Sequence, residues 1–113
     1  MATTDPARAK SFYGGVLGLT LVSEDTFALV FDAQGTTLRV TVVPEIVLAP
    51  YTVLGWNVAD ITAATRGLVQ AGAQFERYPS MKQDELGIWS APGGAKVAWF
   101  KDADGNVLSL SQL

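Results

Sequence analysis

A stretch of fifteen residues occurs twice in this chain with the same pattern of strand and turn residues. The first copy is FALVFDAQGTTLRVT, residues 27–41, and the second is VAWFKDADGNVLSLS, residues 97–111. Each copy has two runs rich in Val, Leu, Phe, Thr or Trp around an Asp-Ala-x-Gly turn, which is typical of a β-hairpin. Two copies of one hairpin, 70 residues apart in a chain of 113, predict a duplicated fold.

The turn also predicts how the strands of each hairpin pair. Leu29 should face Arg39 in the first copy, and Trp99 should face Ser109 in the second. Because side chains alternate between the two faces of a strand, one face of each hairpin is then aliphatic and the other is mixed. We predict a ligand-facing surface on the mixed face, whose members are Phe27, Leu29, Phe31, Arg39, Val97, Trp99, Lys101 and Ser109.

The segments around each hairpin predict a strand, a helix and one further strand. Asp5 and Asp60 are typical helix N-caps, and each predicted helix ends at a glycine. A strand is predicted over residues 52–58 ahead of the second helix, whereas only four residues precede Asp5. We therefore expect an α+β fold of two tandem βαβββ modules with one helix each, the first strand being truncated.

Two prolines, Pro44 and Pro50, bracket the segment between the two halves. An extended course is expected before each proline, so the segment is interpreted as a linker. The predicted organisation is a single domain over residues 1–113, with module 1 at about 1–47 and module 2 at about 51–113.

Composition excludes several classes of function. The chain has no Cys and no His, so thiolate zinc sites, cysteine nucleophiles and histidine bases are absent. Its net charge of −3 and the lack of a Lys/Arg cluster argue against binding to nucleic acid. No apolar run approaches the length of a membrane span and the first residues are not a signal peptide, so a cytoplasmic location is expected.

The motifs of the first half and the last turn carry a family resemblance. The motifs are Asp5-Pro6, Phe12-Tyr13, Leu17-Gly18-Leu19 and Asp102-Ala103-Asp104-Gly105-Asn106. Together with the repeat, they resemble the vicinal oxygen chelate superfamily of glyoxalases, extradiol dioxygenases, fosfomycin-modifying enzymes and bleomycin-resistance proteins. The resemblance implies a curved, cup-shaped mixed sheet with the helices outside, commonly in a homodimer.

The resemblance also implies where metal ligands would stand. Enzymes of this superfamily hold a metal at the first and last strands of each module, and these positions correspond here to Val53, Arg39 and Ser109, the fourth lying upstream of Met1. Valine and serine are not the usual ligands, and the guanidinium of Arg39 stays charged and repels a divalent cation. We therefore expect no metal and no other cofactor.

The leading hypothesis is a metal-free protein that holds a small aromatic or anionic ligand in the cup. Arg39 is expected either to anchor the anion or to form an internal salt bridge, and Trp99 either to stack on the ligand or simply to pack. The alternatives are a lyase, isomerase or dioxygenase-type enzyme of the superfamily, with catalytic residues unknown, and a regulatory module that binds a protein. The candidate ligand-binding residues are Arg39, Trp99, Ser109, Phe27, Leu29, Phe31, Val53, Asn57, Lys101 and Trp89.

Overall fold

The computed structural model describes all residues, 1–113. The first half contains β1 (Ala2–Thr3), α1 (Pro6–Lys10) with a π-helical continuation (Ser11–Val16), β2 (Thr20–Glu24), β3 (Ala28–Ala33) and β4 (Thr36–Val42). The second contains β5 (Leu54–Asn57), α2 (Ile61–Ala71), β6 (Trp89–Ser90), β7 (Lys96–Lys101) and β8 (Val107–Gln112). The sheets have equivalent orders, β1-β4-β3-β2 and β5-β8-β7-β6, with a parallel first pair in each. The α+β fold of two tandem βαβββ modules is confirmed.

Both helices begin at the predicted aspartates. The side chain of Asp5 accepts a hydrogen bond from the backbone N–H of Arg8, and that of Asp60 accepts one from Ala63, both at 3.1 Å. Such a cap stabilises a helix by about 1 kcal/mol. The second helix ends at Gly72, whose φ of 113° lies in the left-handed region that glycine adopts without strain. Neither helix has the length and apolarity needed to cross a membrane.

The chain divides into two compact units, and the division falls between Leu48 and Ala49, inside the predicted linker. The first unit comprises residues 1–48 and 102–106, and the second comprises residues 49–101 and 107–113. The turn of the second hairpin thus belongs to the first unit. Each unit buries one side of its sheet: Phe31 and Val40 lie in the core of the first, Phe100 in that of the second.

The aspartate that opens the turn 102–106 is held by hydrogen bonds on both of its oxygens. Its Oδ1 accepts from the backbone N–H groups of Asp104 and Asn106, and its Oδ2 accepts from Asn106 Nδ2 and from the Tyr13 hydroxyl at 2.6 Å. Burial and the hydrogen bond to Asp102 raise the pKa of Tyr13 well above its usual value, so the phenol stays protonated as the donor. The tyrosine and the aspartate that carried the resemblance are therefore structural partners.

A second carboxylate of the same turn, Asp104, binds the start of the chain. Its oxygens accept hydrogen bonds from Thr3 Oγ1 at 2.5 Å, from the Thr4 backbone N–H at 3.1 Å and from Arg8 Nη2 at 3.1 Å. The side chain is only 2% exposed. Burial acts to raise the pKa of Asp104, but the hydrogen bonds from Thr3, Thr4 and Arg8 outweigh it and hold the pKa below its usual value.

The predicted register of the first hairpin is wrong by one residue. The turn has only two residues, Gln34 and Gly35, with φ of 53° and 91°, so Ala33 pairs with Thr36. Positive φ at both positions is typical of a type I′ turn, whose twist matches that of the strands. Leu29 consequently pairs with Val40 and not with Arg39. A one-residue shift exchanges the two faces of a strand.

This shift removes two residues from the predicted ligand-facing surface. Leu29 and Phe31 are 1% and 0% exposed and belong to the core of the first unit, where the Phe31 ring lies 5.7 Å from that of Tyr13. Arg39 pairs with Val30, one position out of phase with them, so it lies on the opposite face of the sheet. Leu29 and Phe31 do not line a surface together with Arg39.

Candidate functional site

The second hairpin pairs as the sequence predicted. Trp99 lies opposite Ser109, and Val97 lies opposite Ser111, whereas Phe100 pairs with Leu108 on the other face. The longer turn over residues 102–106 leaves Lys101 opposite Val107 and thereby sets this register. The face that carries Trp99 is called the tryptophan face below, and its members on β5, β7 and β8 are Gly55, Asn57, Val97, Trp99, Lys101, Val107, Ser109 and Ser111.

An aromatic cluster occupies this face. The Trp99 ring is half-buried; it meets the Tyr78 ring edge to face, with centroids 5.5 Å apart and planes at 83°, and the Trp89 ring in a tilted arrangement at 6.1 Å. Trp89 is positioned by β6, which places it opposite Val97. Tyr78 comes from the segment between α2 and β6. Three half-buried aromatic side chains are thus in contact with one another on this face.

A serine, Ser109, lies opposite Trp99 beside the aromatic cluster. Ser109 is 8% exposed, and its hydroxyl makes no hydrogen bond within the chain. Its neighbour on β5 is Gly55, where a Cβ atom would lie 2.6 Å from the Ser109 Oγ. Only glycine permits so close an approach of the Ser109 side chain to β5. The serine hydroxyl therefore lies on the tryptophan face without a hydrogen-bond partner in the chain.

One ion pair stands at the end of the same face. Glu76 Oε1 lies 3.3 Å from Lys101 Nζ, and the two side chains are 30% and 50% exposed. The backbone N–H of Glu76 donates to the carbonyl of Trp99 at 2.7 Å, next to a β-bridge between Phe75 and Phe100. Glu76 is thus attached to β7 directly beside Trp99. Phe75 pairs with the core residue Phe100, so the next residue, Glu76, lies on the opposite face, which is the tryptophan face.

The segment that supplies Glu76 and Tyr78 is held by the side chains of Gln83 and Arg77. The Nε2 of Gln83 donates to the carbonyls of Glu76 at 2.9 Å and Gly87 at 2.8 Å, and its Oε1 accepts from the Tyr78 N–H at 2.7 Å. Arg77 donates to the carbonyls of Asp84 and Glu85 in the same segment. Because the amide of Gln83 binds two carbonyls and one N–H, it fixes the backbone of the loop and thereby the positions of Tyr78 and Glu76.

Two further predicted residues lie at the margin of this face. Val53 precedes β5 and is 45% exposed, and its backbone N–H donates to the carbonyl of Val107. Asn57 ends β5 opposite Ser111, and its Oδ1 accepts a hydrogen bond from the Leu113 N–H at 3.3 Å. Their positions agree with the predicted face, and their contact with a ligand stays a prediction.

The remaining predicted residues belong to the first unit. Arg39 is exposed and takes part in none of the three ion pairs of the chain. Hydrogen bonds from the Phe27 and Ala28 N–H groups lower the pKa of Asp25, and the positive charge of Arg39 lowers it further. Phe27, which immediately precedes β3, is 70% exposed. The structure therefore groups Trp99, Ser109, Lys101 and Trp89 in the second unit, apart in the chain from Arg39 and Phe27.

Sequence reasoning missed two residues that shape the site. Gly55 carried a signal, because an isolated glycine inside a predicted strand is typical of a close approach by a neighbour. Gln83 carried none, since a glutamine in a polar loop looks like any solvated side chain. Its role depends on which backbone groups the loop brings to it.

Comparison with known proteins settles the family. The model of the Glyoxalase/Bleomycin resistance protein/Dioxygenase superfamily matches residues 1–110. The chain belongs to this superfamily. No curated protein matches the chain.

Solved structures of the superfamily share this fold at low identity. A glyoxalase/bleomycin resistance protein/dioxygenase from Alicyclobacillus acidocaldarius is 18% identical, with 99% of this chain and 86% of that chain covered and a TM-score of 0.71. A glyoxalase family protein from Enterococcus faecalis is 19% identical, with 98% and 91% covered and a TM-score of 0.75. Lactoylglutathione lyase from Agrobacterium tumefaciens is 15% identical, with 99% and 88% covered and a TM-score of 0.75. At such identities the likeness shows the fold alone.

The metal expected in enzymes of the superfamily does not fit the residues of this chain. The positions that the resemblance assigns to ligands hold Val53, Arg39 and Ser109. Nowhere in the chain do three Asp or Glu side chains come together as a metal site, and the chain has no His or Cys to add. The carboxylates of Asp102 and Asp104 are occupied by the hydrogen bonds of their own turn. No step through a metal is therefore assigned to this chain.

Proposed function

We propose that this superfamily member binds a small molecule through a planar aromatic group, which packs on the tryptophan face of the second unit. The observation that carries the proposal is the cluster of Trp99 with Tyr78 and Trp89 beside the unpartnered hydroxyl of Ser109. A half-buried tryptophan between two aromatic rings offers a large apolar surface at little cost in side-chain entropy. The serine hydroxyl adds one donor and one acceptor that would fix the orientation of the ligand.

The arrangement of the face supports binding because its parts are held in place without the ligand. Trp89 is fixed by pairing with β7, and Tyr78 is fixed by the hydrogen bond of its N–H to Gln83. A preformed surface loses less entropy on binding than one that must order. The proposal therefore requires no rearrangement of the sheet.

A screen of planar aromatic compounds by thermal unfolding finds a first ligand. A compound at 100 times its dissociation constant adds about 2.7 kcal/mol to the free energy of unfolding, a shift on the order of 10 °C for a chain of this size. Isothermal titration calorimetry with the best compound then measures the dissociation constant for the wild type and two variants.

The two variants separate a binding role from a packing role. Trp99→Leu removes the centre of the aromatic cluster, and we expect the dissociation constant to rise about tenfold. Trp56→Leu is the matched control, because Trp56 is also half-buried in this sheet but pairs with Leu110 on the opposite face. It should lower the melting temperature without changing the dissociation constant. Equal weakening by both variants, or binding unaffected by Trp99→Leu, contradicts the proposal.

Three other expectations stay predictions. An anion at Arg39 is tested with Arg39→Gln against carboxylate-bearing compounds, whose binding should weaken if the guanidinium contacts them. The homodimer is tested by light scattering of the purified chain. The cytoplasmic location is tested by fractionation of expressing cells.

A further inference from the structure

The ion pair of Glu76 and Lys101 stands within reach of a ligand on the tryptophan face. Lys101 follows Trp99 by two residues on β7, a separation of about 7 Å along a strand. Glu76 is bonded to the backbone of Trp99 and lies 3.3 Å from Lys101. A molecule whose ring lies on Trp99 therefore has the next part of its structure beside both charges.

The pair has a property that restricts the ligand. Its two charges cancel, and it is the only ion pair of the second unit, since the other two join Arg8 to Asp104 and Lys10 to Glu24. A ligand with only a carboxylate would reach Lys101 but bring its charge close to Glu76. A ligand with only an ammonium group would reach Glu76 but approach Lys101. Either arrangement sets like charges close together while the ligand removes water from them, which weakens binding.

A head group with both charges meets neither penalty. Its carboxylate can lie against Lys101 and its ammonium group against Glu76, so that each charge of the protein gains a partner as the ligand covers it. Glu76 is well placed for this role, because its carbonyl is bound by Gln83 and its N–H by Trp99. The backbone of Glu76 is thus fixed while its carboxylate stays partly exposed.

We propose that the tryptophan face selects aromatic ligands that carry a zwitterionic head group, the chemistry of an aromatic α-amino acid. The inference rests on the proposed function, because the ring must bind at Trp99 for the head group to reach the pair. Glu76 and Lys101 act as specificity-determining residues: Glu76 binds the ammonium group of the ligand, and Lys101 binds its carboxylate. The ring supplies the affinity, and the pair discriminates between ligands with the same ring.

Four compounds with one ring test the proposal. L-tryptophan is the zwitterion, tryptamine the cation, indole-3-propionate the anion and indole the neutral ring. Isothermal titration calorimetry at low salt measures each dissociation constant at neutral pH. We expect L-tryptophan to bind about fivefold more tightly than each of the other three, the effect of roughly one partly exposed ion pair.

Charge-removing variants identify the residues that discriminate. Glu76→Gln leaves Lys101 without its partner, so indole-3-propionate should gain affinity and tryptamine should not. Lys101→Gln should do the reverse. The double variant should bind all four compounds as it binds indole. Two controls of the same charge change, Glu85→Gln in the neighbouring loop and Lys96→Gln at the other end of β7, should keep the order of the wild type.

The outcomes separate the two proposals. If all four compounds bind the wild type equally and Trp99→Leu weakens all of them, the face binds aromatic rings and the head-group inference is wrong. If Glu76→Gln and Lys101→Gln bind the four compounds in the same order of affinity as the wild type, the ion pair does not discriminate between the head groups and the inference is also wrong. If no compound binds, neither proposal holds for this ring, and the inference is withdrawn with it. Thermal unfolding of each variant confirms that the fold is intact.

Discussion

The two hairpins carry nearly the same turn sequence, but their first aspartates have different surroundings. Asp32 is exposed and accepts one hydrogen bond, from the Gly35 N–H of its own turn. Asp102 is buried and accepts four, one of them from Tyr13. The motif Asp-Ala-x-Gly therefore specifies a turn in both places, but only in the second copy is the aspartate buried and bonded to a residue outside the turn, Tyr13.

The same comparison explains why the two hairpins present different faces. The two-residue turn of the first hairpin puts Leu29 and Phe31 in the core and leaves Arg39 on the exposed face. The longer turn of the second puts Trp99 and Ser109 on one face. A difference in turn length between copies of one repeat thus decides which side chains share a face of the sheet.

The largest expected effect comes from the aspartate of the second turn. Asp102→Ala removes the acceptor of four hydrogen bonds and leaves the buried Tyr13 hydroxyl without a partner. We expect the free energy of unfolding to fall by about 3 kcal/mol, since each buried donor left unpaired costs roughly 1–3 kcal/mol. Urea unfolding followed by circular dichroism measures it.

The equivalent change in the first turn is the control. Asp32→Ala removes one exposed hydrogen bond, so the loss should be below about 1 kcal/mol. Tyr13→Phe should lower the stability by less than Asp102→Ala, and the double variant Tyr13→Phe/Asp102→Ala should show strong coupling. Equal losses for Asp102→Ala and Asp32→Ala would contradict the comparison of the two turns.

A smaller effect is expected where β5 meets the second hairpin. Gly55→Ala places a Cβ atom 2.6 Å from the Ser109 Oγ, a distance that forces the serine or the strand to move. We expect a loss of about 2 kcal/mol in the free energy of unfolding, typical of overpacking. Removal of the oxygen should relieve the clash, so Gly55→Ala/Ser109→Ala should recover most of the loss.

The measurement is urea unfolding of the wild type, both single variants and the double variant. Ser109→Ala alone should change the stability little, because its hydroxyl has no partner within the chain. If the double variant is no more stable than Gly55→Ala, the close approach to the Ser109 oxygen is not the cause of the loss.

Much of the fold could be predicted from local patterns. The helix caps at Asp5 and Asp60 act through the first turn of their own helices, and the repeat places equivalent strands. The register of the first hairpin could not be predicted, because Asp-Ala-Gln-Gly is compatible with more than one turn. The tertiary structure selects the one in which Gln34 adopts a positive φ.

The grouping of the candidate site residues on one face was predicted in part, whereas their contact with a ligand stays a prediction. Trp99, Ser109 and Lys101 share a face because side-chain alternation along β7 and β8 is a local property. The partners Tyr78 and Glu76 come from the segment between α2 and β6, whose course is decided by a long-range hydrogen bond to Trp99 and by the side chain of Gln83 within the loop. Motifs that identify the superfamily, Tyr13 and Asp102 among them, lie in the core of the first unit and say nothing of the ligand.

A pH dependence distinguishes the second turn further. The pKa of Asp104 is held below its usual value of 3.8 in the folded chain, so its contribution is complete above that pH and is lost as the pH falls through the lowered value. Asp104→Asn should be less stable than the wild type at pH 7 by about 1 kcal/mol. The gap should narrow as the pH falls below 3.8, since only the wild type loses this charge.

Urea unfolding of both proteins at several pH values measures the gap. A gap that stays constant down to the lowest pH would show that the ionised carboxylate is not what binds Thr3, Thr4 and Arg8. Arg8→Gln is the control for the ion pair alone. At pH 7 it should lose less stability than Asp104→Asn does, because the two threonines remain as donors to Asp104.

The smallest effect, and a stabilising one, is expected in the first turn. Gln34 has a φ of 53°, which is unfavourable for a glutamine, whereas Asn adopts this region more readily and Asn-Gly is the preferred type I′ pair. Gln34→Asn should therefore raise the free energy of unfolding by about 0.5 kcal/mol. Gln34→Ala, which keeps the unfavourable φ, should give no gain. Urea midpoints with unchanged slopes measure both effects. A loss of stability in Gln34→Asn would mean that the turn is not type I′ in solution. The register that places Leu29 and Arg39 on opposite faces would then be wrong.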